Sequence, residues 1–234
     1  MKAVIFANGL LSDGKEASRR ARGAHLVVAA DGGSRHCLAL GVVPHVVIGD
    51  MDSTTAEDLR KLEEKGTSVC RHPVRKDKTD LELALELAAE RGAREVLVFG
   101  ALGMRWDMTL ANMMVLTAPS MAGTRLILVD GDTRMTVLRG GSRTILFGRP
   151  GDVVSLVPAG SPVGGITLRG FEYPLAGARM EAGSTLGISN ALVGERATIE
   201  IQEGPLFCIV PRTVEIEEDD SPSFFLWGVP SPSQ

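Results

Sequence analysis

Carboxylates and cations recur at short spacings where the apolar runs of this chain end. The run VVIGDMDST, Val46 to Thr54, closes on Asp50 and Asp52. In extended backbone, side chains at i and i+2 share a face, which predicts carboxylates about 6–7 Å apart. At an effective dielectric near 20 such a pair repels by roughly 2.5–3 kcal/mol, so a cation or open water must offset it. ADGGS sets Asp31 ahead of Gly32 and Gly33. Glycines there let backbone N–H groups approach a phosphate at a helix start, and they equally make a tight turn. VRKDKTDLE gathers Lys76, Lys78 and Asp80. Thr79 reads as a helix N-cap, and the helix dipole favours a carboxylate at Asp80 by about 0.3–1 kcal/mol. In GMRWDM, Arg105 and Asp107 offer a fork for phosphate oxygens and a carboxylate, or else an exposed loop cation and a helix cap.

Singly, each of these has an ordinary reading as a turn, a cap or a loop charge. Jointly they place Asn8-Gly9, Asp31, the Asp50/Asp52 pair, Lys76 with Asp80, and Arg105 with Asp107 at successive strand ends. Crowded carboxylates without paired His or Cys suit Mg²⁺, which bridges to phosphate oxygens. A magnesium-nucleotide site is the expectation. No G-x-x-x-x-G-K-[ST] occurs, and no G-x-G-x-x-G opens a helix after the first strand, which excludes a P-loop and weakens a dinucleotide reading.

The elements that must position these groups have two grammars. AVIFA, HLVVAA, VVIG, SVCR, EVLVFG and RLILV read as nearly continuous apolar strands, as in a parallel sheet covered on both faces. Helical stretches separate them. TTAEDLRKLEEKG predicts a capping box at Thr54 and Glu57 and a stop at Gly66; TDLELALELAAERG repeats the device at Thr79 and Glu82, ending at Gly92. This alternation predicts an α/β fold, an open, mostly parallel sheet with flanking helices, over residues 1–132. In such sheets ligands bind beyond the carboxyl ends of the strands. From 133 to 212 helix signals vanish and short runs such as RMTVLRG, DVVSLVPAG and PLFCIVP alternate with Gly and Pro. A small antiparallel β-sandwich or barrel follows. Residues 213–234, with EIEEDD and then SPSFFLWGVPSPSQ, read as an irregular tail or one that packs on a neighbour.

The 234 residues are 44% apolar and 23% charged, ordinary for a globular chain. A net charge of -4 argues against broad binding to nucleic acid. The first apolar run is too short for a signal or membrane segment, and the three cysteines match no zinc or disulfide spacing, so a cytoplasmic setting is expected.

ADGGS, VIGDMDST, KDKTDLELAL, GALGMRWDMTLAN and GSTLGISNALVGERATIEIQEGPLFCIV together resemble, in order, the signature segments of thiamine pyrophosphokinases (thiamine diphosphokinases). The resemblance extends to about Pro211. It implies transfer of the pyrophosphoryl group of ATP to the hydroxyl of thiamine, giving thiamine diphosphate and AMP. It implies a homodimer with thiamine bound between domains of different subunits. Asp50, Asp52 and Asp80 resemble the magnesium-binding carboxylates. Asp31, Gly32, Gly33, Lys76, Thr79, Arg105 and Asp107 match motif positions around ATP and its phosphates. Ser189 and Asn190 resemble the thiamine-recognising pair, with Tyr173 in the stretch before them. The family's bacterial pattern GGR-x-DH is broken by Met104 and Met108, and methionine donates no strong hydrogen bond. Two alternatives stand beside this reading: a pyrophosphokinase of the same fold acting on a hydroxymethyl pterin, and a non-catalytic nucleotide- or thiamine-binding module.

Overall fold

The structure is a computed structural model that describes residues 1–103 and 105–218. The chain divides into two compact units, parted between Gly131 and Asp132, one residue from the boundary expected.

In the first unit six strands lie in one parallel sheet: β1 (Lys2–Phe6), β2 (Leu26–Ala30), β3 (Val46–Gly49), β4 (Ser68–Arg71), β5 (Glu95–Phe99) and β6 (Arg125–Asp130), in the order β6-β5-β1-β2-β3-β4. Each matches an apolar run read from the sequence. Helices α1 (Gly14–Arg22), α2 (Gly33–Ala39), α3 (Ala56–Glu63), α4 (Asp80–Glu90) and α5 (Trp106–Met114) connect them. β1, β2, β3 and β5 are buried from end to end but for Lys2, as strands covered on both faces must be. β4 departs from that expectation because it is the sheet's edge in this unit, and three of its four residues are exposed. Phe6 and Phe99, neighbours on β1 and β5, stack with ring centroids 6.0 Å apart.

Helix ends follow the capping logic with one shift. Thr79 accepts from the Glu82 N–H at 3.2 Å and makes Asp80 the first residue of α4, as expected. At α3 the cap is Thr55, accepting from the Asp58 N–H, and not Thr54. The Thr54 hydroxyl is used elsewhere: it is buried, donates to the Asp31 carbonyl at 3.1 Å and lies 2.7 Å from the Ser34 hydroxyl. No helix among the described residues is long and apolar enough to cross a membrane.

The second unit is antiparallel. β7 (Thr133–Leu138), β9 (Val153–Pro158), β12 (Asn190–Ala191) and β14 (Leu206–Pro211) align as β12-β9-β14-β7. β8 (Ser142–Phe147), β10 (Val163–Arg169), β11 (Leu175–Met180), β13 (Arg196–Ile201) and β15 (Glu215–Glu218) align as β11-β10-β13-β8-β15. Two sheets with alternating burial, as in β9 and β13, fit the sandwich expectation. Two strands were not foreseen. β11, LAGARM, buries only Met180 fully and shows no alternation to read. β15 corrects the irregular start assigned to the tail: Val214 and Ile216 are buried while Glu215 and Glu217 are not, a period of two that pairs with β8. The FFLW cluster and Met104 lie outside the described residues.

Candidate active site

A cavity of about 660 Å³ opens at the carboxyl ends of the first unit's strands. Its walls come from Asn8 and Gly9 after β1, Asp31 and Arg35 after β2, Asp50, Asp52 and Ser53 after β3, Asp80 on α4, and Gly103, Arg105, Met108 and Asn112 around α5. β1 lies between β2 and β5, so the strand order reverses there and the crevice falls where open α/β sheets take their ligands.

Asp31, Asp50 and Asp52 each offer a carboxylate oxygen, and these oxygens lie within 4.8 Å of one another. The extended geometry expected for Asp50 and Asp52 is corrected. β3 stops at Gly49, and Met51 turns back with φ 66°, in the left-handed region that costs a residue with a β-carbon roughly 1–3 kcal/mol. The turn lets the Asp52 N–H donate to Asp50 Oδ1 at 3.2 Å. Asp31 is also left-handed, with φ 41°, and is buried. The Thr54 hydroxyl on its carbonyl and the Ser53 N–H, 3.4 Å from its Oδ1, tie it to the β3 loop. Local strain is thus held in place by contacts between the β2 and β3 ends.

The glycines after Asp31 have a packing reason. A β-carbon on Gly33 would lie 1.9 Å from the Phe6 carbonyl oxygen of β1, and one on Gly32 would lie 2.3 Å from Asn8 Oδ1. Both have ordinary backbone angles to spare for other residues; what they lack is space.

Lys76 links the cluster to α4, with Nζ 3.0 Å from Asp50 Oδ2 and 3.1 Å from Asp80 Oδ1. The Lys76 hydrogen bond holds the Asp50 carboxyl below its ordinary range. Burial pushes Asp80 up, against the pull of Lys76, and the charges of Asp50 and Asp31 push the same way. Asp80 therefore stands beside Lys76, while Asp31 completes the tightest trio with Asp50 and Asp52. Thr79 acts as the cap already described. Lys78 turns away to Glu86 at 2.6 Å. Arg105 and Asp107 form an exposed two-point pair, with contacts of 2.5 and 3.2 Å, that lowers the Asp107 carboxyl's pKa. Asp107 does not cap α5 with its side chain; Arg105 is the N-cap residue and Asp107 sits in the first turn.

Arg35 and Asn112 also line the cavity, and neither is among the candidate residues that the sequence marks. Asn112 is buried, donates to the Ala101 carbonyl at 2.6 Å, and follows Met108 by one helical turn. That spacing was the available signal for Asn112. Arg35 had none beyond its place four residues after Asp31.

In the second unit, Ser189 is exposed with φ 55°, and its N–H donates to the Ser155 hydroxyl at 3.0 Å. Asn190 is buried, and both ends of its amide are hydrogen-bonded. Its Oδ1 accepts from the Tyr173 N–H at 3.0 Å and the Ala191 N–H at 2.9 Å, and its Nδ2 donates to the Tyr173 carbonyl at 2.8 Å. The amide therefore fixes the loop that carries the exposed ring of Tyr173. Asn190→Ala leaves these backbone groups without their partner, and chemical denaturation should show a loss of about 1–3 kcal/mol. An unchanged midpoint would contradict this bracing role.

Residues 18–128 match the family description "Thiamin pyrophosphokinase, catalytic domain", and residues 144–206 match "Thiamin pyrophosphokinase, vitamin B1 binding domain". The chain is 31% identical to the thiamine pyrophosphokinase of Bacillus subtilis over 184 residues, covering 79% of this chain and 86% of that one. The crystal structure of the Geobacillus thermodenitrificans thiamin pyrophosphokinase superposes with a TM-score of 0.76 at 33% identity, covering 90% and 97% of the two chains. The yeast thiamin pyrophosphokinase shares the fold at 14% identity, with a TM-score of 0.74 over 90% of this chain and 86% of its own.

Proposed function

The chain belongs to the thiamine pyrophosphokinase family, enzymes that move the pyrophosphoryl group of ATP onto thiamine, and we propose that its carboxylate cluster is where that transfer is organised. The observation that carries the reading is the convergence of Asp31, Asp50 and Asp52 inside the strand-end cavity. Three carboxylates with no His or Cys among them fit a hard divalent cation, and Mg²⁺, usually held by a few carboxylates together with substrate phosphates, suits a triphosphate site. Asp31, Asp50 and Asp52 would hold it, with Asp80 beside them. Bound there, Mg²⁺ supplies charge neutralisation for the triphosphate.

The protein's own groups do the rest. Phosphoryl transfers demand positioning and charge stabilisation more than covalent help. Lys76, fixed between Asp50 and Asp80, presents an ammonium beside the cavity, and Arg105, oriented by Asp107, presents a guanidinium at its rim. Both suit the equatorial oxygens of the transferred group. In the second unit Ser189 and the Asn190-braced Tyr173 loop form the thiamine-recognising surface, supported by the vitamin B1 binding match across them. A pterin substrate would have no use for that unit, and a pure binder none for the crowded carboxylates.

A homodimer and a cytoplasmic setting belong to the same reading. The apolar side chains exposed on the second unit, Tyr173, Leu186, Ile188 and Val193, support a self-associating surface. Light scattering at twice the chain mass checks it.

Incubation with ATP, Mg²⁺ and thiamine should yield AMP and thiamine diphosphate in equal amounts. Excess EDTA should abolish the reaction, and added Mg²⁺ should restore it. ADP as product, or turnover that survives EDTA, would contradict the proposal.

A further inference from the structure

We propose that Arg35, oriented by Asn8, binds the α-phosphate of the nucleotide and stabilises the charge on AMP as it leaves, an assignment that rests on the ATP–thiamine reading above. Two arginines line the cavity. Arg105 is already paired with Asp107. Arg35 instead donates from Nη2 to Asn8 Oδ1 at 2.6 Å, and no carboxylate among the described residues pairs with it. A neutral amide orients a guanidinium without cancelling its charge, so the remaining N–H groups and the full positive charge stay available to an anion.

Its place along the sheet says which anion. At the strand ends the carboxylate trio spans β2 and β3, while Asn8 and Arg35 stand on the β1 side of Asp31. The switch point beside β1 and β5 suits the nucleoside. The cation-binding trio suits the β- and γ-phosphates. The α-phosphate joins those two parts and therefore falls over the β1–β2 boundary, where Arg35 lies.

The chemistry fits that position. The thiamine hydroxyl oxygen forms a bond to the β-phosphorus, and the bond from that phosphorus to the oxygen shared with the α-phosphate breaks. The electron pair remains on that oxygen, completing AMP, and the hydroxyl proton passes to water. Charge grows on the α-phosphate as the bond breaks, so hydrogen bonds from Arg35 strengthen in the transition state.

The test compares wild type, Arg35→Gln and Arg35→Lys by calorimetric titration with AMP, in the absence of thiamine, and by steady-state kinetics. Arg35→Gln should weaken AMP binding and lower kcat, each by about tenfold to a hundredfold. Arg35→Lys should recover part of both losses. Thermal unfolding should be unchanged, because the side chain is exposed. AMP affinity in Arg35→Gln within about twofold of wild type would overturn the assignment, as would a wild type that does not bind AMP. Failure of the wild type to make AMP from ATP and thiamine would instead count against the reaction, while the AMP titration still decides Arg35.

Discussion

Asp52→Asn should lower turnover by at least about a hundredfold without unfolding the protein. Asparagine keeps the shape and the oxygen that accepts from the Ser53 hydroxyl at 2.8 Å, so the loop has no reason to move. What disappears is one of three negative charges whose oxygens crowd within 4.8 Å. Neutralising it relieves repulsion in the protein alone, and the unfolding midpoint should hold or rise slightly. The charge is needed only when a divalent cation and a triphosphate are present. Loss of activity with a steady midpoint is the signature of a functional carboxylate. Near-normal turnover in purified Asp52→Asn would remove it from the metal site. Asp80→Asn should cause a loss of similar size by another route, since Lys76 would keep only Asp50 as an ionised partner.

Gly33→Ala should be strongly destabilising, and more so than Gly32→Ala. Its added carbon would lie 1.9 Å from the Phe6 carbonyl oxygen and 2.6 Å from the carbonyl carbon. Those are backbone atoms of a fully buried strand residue stacked on Phe99, and they cannot step aside as a side chain can. Overpacking commonly costs about 1–3 kcal/mol, and a clash with backbone belongs at the top of that range or beyond it. Activity should fall as well, because Asp31 stands two residues earlier on the same turn. Gly32→Ala meets the Asn8 side chain instead and should cost less. Chemical denaturation of the two variants checks the ranking; equal midpoints for Gly33→Ala and wild type would refute it.

Much of this was legible because parallel-sheet topology is strict. Once six apolar runs alternate with helices, their carboxyl ends must share an edge, and the charged residues after them must meet. Thr79 and Asp80 could be placed from local capping chemistry alone. The features that local sequence does not encode depend on contacts between distant segments. Thr54 and Thr55 look alike in sequence, and only the Asp31 carbonyl and Ser34 hydroxyl, brought in from the neighbouring strand end, decide which one caps α3. The sequence suggests an extended Asp50/Asp52 pair, because nothing local announces a methionine in left-handed backbone. Asp31 joins that pair through the same cross-loop ties. Asn190 stands out in sequence only through the motif it resembles, and that its amide closes on the backbone of the Tyr173 loop shows only in the fold.

The most direct test is diffraction from crystals grown with Mn²⁺ and a non-hydrolysable ATP analogue, using anomalous scattering to locate the metal. An anomalous peak bounded by the carboxylates of Asp31, Asp50 and Asp52, with phosphate oxygens completing its coordination, is the expected result. A nucleotide bound with its metal elsewhere, or with those three side chains ligating nothing, would contradict the proposal that they organise the transfer.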